Sequence, residues 1–371
     1  MIPAHANLFP EDYFQALCRA LNIGESDLIT DRILTSLQTF QKSWLDPESS
    51  REHFAYDRDM VLAYSLFYMT LNMPKLWFML HHLWPQIDPG KLAQGEALRV
   101  TELGCGPGTF LHAWRFYAQS HRWDMPMQFH GVDQVGGFLQ TAERLDAAFG
   151  AYDNPLTTEK ADWRQLQAPD SDVLILGNTV IEQESCNIDW LPDFGGRMVI
   201  LVEPGTSLAF RRLLPVRNAM LAAGWAVHFP CPKNSRCPMS STTNWCHFHI
   251  NRFTLPFIQK MTMKAGRLNH RHHFCGFVFT RNLPEAVSPE GLPVRVLSNL
   301  RKANRSGIRW LCDGESEVEA VLNRRARSEA NRPFLEAETG AAGLLELQQL
   351  PSRFMRLGRL NASDGFVPLT D

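Results

Sequence analysis

Four cysteines in the second half of the chain have a residue type and a spacing that suit metal binding. They are Cys231, Cys237, Cys246 and Cys275, the first three in CPKNSRCPMSSTTNWCHF with the spacing C-x5-C-x8-C. Soft thiolate ligands favour zinc or an iron–sulfur cluster over magnesium or calcium. Zinc ligands usually occur in pairs about two to four residues apart. The wider spacing therefore favours a [4Fe–4S] cluster, with zinc as the alternative.

The cysteines have two other interpretations, a mixed cysteine–histidine site and a purely hydrophobic role. A neighbouring histidine can replace one thiolate, and the candidates are His247, His249, His270, His272 and His273. Buried cysteines also serve as small hydrophobic residues, but CPKNSRCP is too polar for a core segment. The chain has 8 cysteines in 371 residues, too few for a disulfide scaffold, and Cys18, Cys105, Cys186 and Cys312 stand alone in core-like contexts. We therefore expect a reducing compartment.

A glycine-rich loop is the second candidate site. VTELGCGPGTF places Gly104, Gly106 and Gly108 between a β-rich run and the helical pattern FLHAWRFYAQ. Glycine is needed where the backbone turns sharply and approaches a ligand closely. At the carboxyl end of a parallel strand, such a loop lines the binding crevice of an open α/β sheet. This spacing alone also fits a dinucleotide site.

Polar residues at successive strand ends make the prediction more specific. Glu102 precedes the glycines, Asp133 ends the second strand, and Asp162 with Trp163 follows the third. A carboxylate at the second position can accept both ribose hydroxyls, and a carboxylate with an aromatic ring can bind an adenine. The alternative is that Asp133 and Asp162 only cap loops.

This ordered set resembles the class I S-adenosylmethionine-dependent methyltransferases over residues 95–281. The resemblance implies that Gly104, Gly106 and Gly108 lie under the methionine and ribose, that Asp133 binds the ribose and that Asp162 binds the adenine. Asn178, which ends the fourth strand in LILGNTVIEQ, is a weak catalytic candidate, because many such enzymes orient their acceptor there. The Asn-Pro-Pro-aromatic signature of amino-group methylation is missing. Methyl transfer mainly requires in-line positioning, so no acid/base pair is demanded.

The patterns around these sites predict an α/β protein. Residues 1–94 show apolar residues at helical spacing, with a break between two helices predicted at Asn72–Pro74. The runs LRVTEL, MQFHGVD, DVLILGN, RMVILVEP and FCGFVFTR alternate with helical patterns, as in a Rossmann-like parallel sheet. We assign residues 95–283 to the cofactor-binding domain with a Cys-rich metal-binding insertion at 230–275, and 284–371 to a small, partly flexible C-terminal β appendage.

Three motifs in order, LVEPGT, CPKNSRCP and WCHF, resemble the Rsm22 family of methyltransferase-like proteins of the small ribosomal subunit. The similarity covers about residues 55–315. It implies an iron–sulfur cluster on Cys231, Cys237, Cys246 and Cys275, and a partner that is small-subunit ribosomal RNA or a pre-ribosomal particle. NHRHHF replaces the acidic run usual before the last ligand strand, and the Trp-Gly-Asp-like ending is absent.

Charge is unevenly distributed along the chain. Residues 204–284 contain no Asp or Glu, eleven Lys and Arg, and six His, although the whole chain has a net charge of −2. An acid-free basic segment favours phosphate binding, and Trp225, Trp245, Phe248, Phe253 and Phe274 within it can stack on bases or pack in the core. We expect an RNA partner rather than DNA. The N-terminus resembles neither a secretory signal nor a transit peptide, and the most apolar stretch is interrupted, so a cytoplasmic protein without membrane contact is expected.

The leading hypothesis is a methyltransferase that binds S-adenosylmethionine and an iron–sulfur cluster and that acts on, or assembles, the small ribosomal subunit. Two alternatives remain open. The first is a non-catalytic assembly factor that retains the fold. The second is a small-molecule methyltransferase on the same scaffold.

Overall fold

The computed structural model describes residues 8–24, 30–45, 56–83, 86–150, 155–181, 188–251, 255–266, 271–283, 291–303, 305–346, 360 and 364–369. Within these ranges, no helix combines the length and the apolar character needed to cross a bilayer.

The N-terminal region is helical, as predicted. Its helices are α1 (Tyr13–Leu21), α2 (Asp31–Leu45), α3 (Arg58–Ala63) and α4 (Thr70–His81), with a π-helical turn at Tyr64–Met69 between α3 and α4. The predicted break at Asn72–Pro74 is wrong, because Pro74 lies inside α4. Ten successive residues from Thr70 to Met79 are buried. Burial on all sides offsets the hydrogen bond that proline cannot make, and the irregular geometry occurs one turn earlier, in the π turn.

A central eight-stranded sheet follows. Its strands are β1 (Leu98–Leu103), β2 (Met127–Asp133), β3 (Thr157–Lys160), β4 (Val173–Gly177), β5 (Met198–Pro204), β6 (Ala226–Phe229), β7 (Phe248–Asn251) and β8 (Arg271–Thr280). The order is β3-β2-β1-β4-β5-β8-β6, and β7 also pairs with β8. The first five strands are parallel, whereas β8 runs antiparallel to β5 and β6. The predicted class I methyltransferase topology is confirmed.

Helices cover both faces of this sheet. They are needed on both because apolar side chains of β5 point alternately to one face and to the other. Ile200 and Val202 pack into the core formed with the N-terminal helices, whereas Val199 and Leu201 pack into the core on the opposite face. The connecting helices are α5 (Thr109–Ser120), α6 (Gly136–Ala148), α7 (Ser207–Ala222) and α8 (Pro256–Lys264). A strand buried on both faces needs a continuous apolar run, which explains the composition of RMVILVEP.

The β structure predicted after Pro293 is present and forms a second sheet of six strands with its own core. Its elements are β9 (Leu292–Val296), β10 (Arg301–Ala303), β11 (Ser306–Cys312), β12 (Glu317–Asn323), α9 (Arg332–Glu336), β13 (Ala342–Glu346) and β14 (Gly365–Pro368). Neighbouring strands in this sheet are antiparallel. Part of the extension at 284–371 that is predicted to be partly flexible, including residues 347–359, lies outside the described residues.

Gly177 offers a test of how α5 packs on the sheet. A Cβ at Gly177 would overlap the ring of Phe110, a buried residue of α5. We expect Gly177→Ala to lower the free energy of unfolding by about 1–3 kcal/mol, because overpacking forces a buried ring or the backbone to move. Urea unfolding followed by circular dichroism measures this. The control is Gly195→Ala, where a Cβ meets no atom within 4 Å. Equal stability of the two variants would contradict the packing.

Candidate functional site

The three glycines lie in a turn that only glycine adopts without strain. Gly104, Gly106 and Gly108 have φ angles of 68°, 53° and 76°. A Cβ at Gly104 would overlap the methyl group of Thr179, and a Cβ at Gly108 would lie 3.0 Å from His112 Nε2. The loop thus packs tightly against its neighbours. Gly106 has the most open surroundings, since a Cβ there would lie 3.7 Å from Tyr64 Cε1 of the π turn.

Glu102 stabilises the glycine loop through buried hydrogen bonds to the helix that follows it. The side chain is 1 % exposed, and its Oε2 accepts hydrogen bonds from the backbone N–H groups of Phe110 (3.1 Å) and Leu111 (3.0 Å) in the first turn of α5. Burial raises the pKa of Glu102 well above its usual value, while these two hydrogen bonds oppose the rise. The contacts indicate that Glu102 fixes the end of β1 to the start of α5 and thereby sets the shape of the loop.

Asp133 lies over the same loop. Its Oδ2 accepts a hydrogen bond from Gly106 N at 2.8 Å, and its Oδ1 accepts one from Val135 N at 2.8 Å. Burial raises the pKa of Asp133, and the backbone donors oppose that rise. The structure therefore brings Asp133 and the glycine loop together at the carboxyl ends of β1 and β2, as the sequence predicted.

Asp162 follows β3 at the same edge of the sheet. Its two oxygens accept from Arg164 Nε and Nη2, each at 2.7 Å, and this pairing lowers the pKa of the Asp162 carboxyl. Trp163 is buried, and its Nε1 would lie 3.5 Å from a Cβ at Gly104. The Trp163 indole thus packs at the glycine loop, while the Asp162 carboxylate is hydrogen-bonded to Arg164 two residues later.

Asn178 ends β4 with left-handed backbone, φ 58°, which is uncommon for a residue other than glycine. Its N–H donates to Val202 O at 2.7 Å. The next residues continue toward the glycine loop, since Thr179 packs on Gly104 and Val180 N donates to Glu203 Oε1 at 2.8 Å. Strained backbone of this kind concentrates at functional sites.

Two buried charged residues, one at the end of β5 and one in α4, were missed by sequence reasoning. Glu203, at the end of β5, is fully buried, and Lys75 of α4 is 2 % exposed. Burial lowers the pKa of Lys75 to about 8, while the charges of Glu203 and Cys275 oppose this change. Lys75 is the single charged residue in TLNMPKLWFML, and a lone lysine inside an apolar helix was the available signal.

The four cysteines predicted as ligands lie on one face of the central sheet, where Cys237 and Cys275 belong to the hydrophobic core and Cys231 and Cys246 pack against it. Burial raises the pKa of Cys246 well above its usual value, and the neighbouring thiols of Cys231, Cys312, Cys237 and Cys275 raise it further, in that order of effect. Burial likewise raises the pKa of Cys312 to about 12, with added contributions from Cys231 and Cys237. Cys312, at the end of β11, is thus a further thiol that affects Cys246, although the sequence placed it alone in a core-like context.

Cys275, the fourth predicted ligand, lies in β8 beside the end of β5. It pairs with Glu203 across β5 and β8, and its thiol donates to Pro204 O at 3.3 Å. Burial raises its pKa, Glu203 adds to the rise and Lys75 opposes it. Burial is thus the largest influence on the Cys275 thiol, and Glu203 and Lys75 act on it with opposite signs.

Two buried arginines border the converging thiols. Arg217 Nε lies 3.3 Å from Cys231 Sγ, and Arg217 is 1 % exposed. Arg295 of β9 is equally buried and donates to the carbonyl oxygens of Pro230, His82 and Gly340 at 2.6, 2.9 and 2.7 Å. Burial lowers the pKa of Arg295 to about 10, and the charges of Cys231, Cys246 and Cys312 oppose this.

Buried cations lie beside these thiols, although burial by itself favours the neutral form of Cys246 and Cys312. In the part of the chain described, Arg217 and Arg295 form no ion pair with a carboxylate. Buried cations are costly without an anion nearby, and thiolates next to them would supply it. Soft thiolate donors match zinc or iron–sulfur chemistry. No set of three or more His, Cys, Asp or Glu side chains among the described residues is arranged to hold a single metal ion.

Most of the histidines and aromatic residues singled out in the sequence can now be placed. His272 Nε2 lies 3.1 Å from Asn72 Oδ1, and His247, His249 and His273 lie together on the other side of β7 and β8. Trp225, Phe248 and Phe274 are buried in the core, so they are not available for stacking on bases. Trp245 is half-buried, and His270 and Phe253 lie outside the described residues.

Comparison with solved structures finds methyltransferases. Magnesium protoporphyrin IX methyltransferase from Synechocystis PCC 6803, with bound SAM, is 15% identical, covers 68% of this chain and 99% of its own, and has a TM-score of 0.34. Phosphoethanolamine N-methyltransferase 2 from Haemonchus contortus is 14% identical over 62% of this chain and 59% of its own, with a TM-score of 0.35. Ribosomal protein L11 methylase from Lactobacillus delbrueckii subsp. bulgaricus is 12% identical over 52% and 73%, with a TM-score of 0.29.

Comparison with curated protein sequences finds no match. The model of one protein family, described as mitochondrial small ribosomal subunit Rsm22, matches residues 100–334, which include the glycine loop, Asp133, the converging thiols and both arginines. That match covers more than half of the chain, and the chain belongs to the Rsm22 family.

Proposed function

We propose that this protein is an S-adenosylmethionine-dependent methyltransferase that acts on RNA of the small ribosomal subunit and that carries a [4Fe–4S] cluster. The observation that carries the proposal is the hydrogen bond of 2.8 Å from Gly106 N to Asp133 Oδ2, which places a carboxylate against a glycine turn at the carboxyl ends of two parallel strands. Ligands of open α/β sheets bind at this edge.

The residues at this edge fit the cofactor. The backbone of the glycine loop can approach a ligand closely, because Gly104, Gly106 and Gly108 have no side chains. Asp133 offers acceptor oxygens for ribose hydroxyls. Trp163 contributes an aromatic surface for adenine. Once bound, S-adenosylmethionine supplies an electrophilic methyl group. The chain has only to position the acceptor, and Asn178 with the buried pair Lys75 and Glu203 lies where the acceptor would approach.

For the cluster we propose Cys231, Cys237, Cys246 and Cys312 as ligands, in place of the set containing Cys275. The pKa of the Cys246 thiol, which Cys231, Cys312 and Cys237 raise more than Cys275 does, and the adjacent buried arginines support this choice. Cys231, Cys237 and Cys246 come from the segment between β6 and β7, whereas Cys312 comes from the second sheet. The cluster would therefore tie the two sheets together.

The RNA acceptor is supported by family membership and by charge. Of the cations in the acid-free segment, Arg211 and Arg281 donate to backbone carbonyls, and carbonyls do not neutralise them. Lys233 pairs with Glu315 at 2.9 Å. The segment thus keeps positive charge, which favours phosphate by counterion release.

A second candidate is a non-catalytic assembly factor. Asp162 favours this candidate. Both of its carboxylate oxygens already accept hydrogen bonds from Arg164, which competes with binding to adenine.

The cofactor site can be tested by Asp133→Ala. We expect the affinity for S-adenosylmethionine, measured by calorimetry, to fall by more than about 1 kcal/mol, or about fivefold, because acceptor oxygens are lost and Gly106 is no longer anchored. Asp170→Ala, which removes a carboxylate 90% exposed, is the control and should bind normally. Unchanged affinity in Asp133→Ala would remove this residue from the site.

The ligand set can be tested by comparing Cys312→Ser with Cys275→Ser. Anaerobically purified protein should be brown and contain iron and sulfide in equal amounts. Cys312→Ser should lose most of both, whereas Cys275→Ser and the control Cys18→Ser, in α1, should retain them. Loss in Cys275→Ser alone would restore the set predicted from sequence. Colourless protein with stoichiometric zinc would overturn the iron–sulfur assignment.

The acceptor can be identified by crosslinking the protein to RNA in cells and mapping both the bound position and its methylation. We expect a site in small-subunit ribosomal RNA that loses methylation when the protein is depleted, because family membership and basic charge point to that RNA. Binding without methyl transfer would favour the assembly factor. No RNA binding at low salt would favour a small-molecule acceptor.

A further inference from the structure

Four aromatic rings form a row at the end of β5. The centroids of Trp245 and His247 are 5.1 Å apart, those of His247 and His273 are 5.6 Å apart, and those of His273 and His249 are 5.7 Å apart. Neighbouring rings are inclined by 25°, 49° and 48°. We call these four residues the ring row. All four are partly exposed.

The row follows from the pairing of β7 with β8. His249 lies opposite His273, and Phe248 lies opposite Phe274. Because side chains alternate along a strand, the two phenylalanines turn into the core while the histidines turn outward. Trp245 precedes β7, and its Nε1 donates to Gly205 O at 3.1 Å, which fixes the indole beside the strand pair.

The ring row borders the cofactor crevice. Gly205 follows β5, and its N–H donates to His273 O at 3.2 Å. A Cβ at Gly205 would lie 2.7 Å from His273 Cβ, so glycine is what allows this close approach. The row therefore lies at the sheet edge that carries the glycine loop, Asp133 and Asn178, on the side of β5.

The segment that carries the row is basic, and one carboxylate from the second sheet, Glu317, lies beside it and accepts from Asn244 Nδ2 at 2.9 Å. The row lies in the segment without Asp or Glu, residues 204–284. Arg211 is anchored beside it by hydrogen bonds to the carbonyl oxygens of Met239, Thr242 and Asn244, the last immediately before Trp245. A fixed cation next to a row of exposed rings is complementary to an unpaired strand, which presents phosphates and bare base faces.

We propose that the ring row is a binding site for single-stranded RNA, on which unpaired bases flanking the methyl acceptor stack. This inference rests on the proposed RNA-directed function and specifies how that acceptor is presented to the crevice. Stacking on aromatic and imidazole rings tolerates any base, whereas paired bases have no free faces to offer. The site therefore selects unpaired RNA over duplex.

The test measures fluorescence anisotropy of a labelled, unstructured RNA of about 12 nucleotides, with a duplex of the same length beside it. Replacing both His247 and His273 by Ala should weaken single-strand binding about tenfold or more and change duplex binding little. The control is His130→Ala, which removes an exposed imidazole of β2 beside Glu159. Calorimetry should show unchanged S-adenosylmethionine affinity in both variants.

Two substitutions of Trp245 distinguish a loss of base stacking from a general loss of folding. Trp245→Phe retains a ring but loses the hydrogen bond to Gly205, so it should bind single-stranded RNA nearly as well as the wild type, whereas Trp245→Ala should not. Equal loss in both variants, or full single-strand binding by the double histidine variant, would overturn the ring row as the site. Wild-type protein that binds S-adenosylmethionine but neither RNA would instead overturn the proposed RNA function.

Discussion

The buried guanidinium of Arg295 is the interaction on which the arrangement of the whole chain depends. It donates to carbonyls after α4 (His82), after β6 (Pro230) and before β13 (Gly340), so one side chain of β9 joins the N-terminal helices, the cysteine-bearing segment and the second sheet. A buried cation bonded only to neutral carbonyls still requires negative charge nearby. The thiols of Cys231, Cys246 and Cys312 are the groups placed to provide it.

The proposed functions of the chain meet along β5 and β8. At the carboxyl end of β5, Glu203 contacts the backbone that follows Asn178, and Gly205 packs on His273. Cys275 pairs with Glu203 across the two strands.

The N-terminal helices contribute to the crevice as well as to the core. The π turn brings Tyr64 so close to Gly106 that a Cβ on that glycine would lie 3.7 Å from the tyrosine ring, and α4 carries Lys75 to the end of β5. A π turn displaces one residue from regular helical geometry and frequently marks functional sites. This region is therefore part of the proposed active site and not only a covering layer.

The sequence by itself determined the local features: the strand–glycine loop–helix unit and the acids at strand ends. Each of these depends on neighbours in sequence, since strand patterns and positive φ at glycine are local rules. Helix α4 shows the limit, because Pro74 predicted a break and burial on all sides allowed the helix to continue.

Only the tertiary structure decided which distant residues meet. Cys312 lies 66 positions after Cys246 and in another sheet, so no spacing rule linked it to the thiol of Cys246, on which it acts in the folded chain. The ring row depends on the register between β7 and β8, and a shift of one residue would have buried the histidines. Long-range pairing is set by packing of whole elements, which a local pattern does not encode.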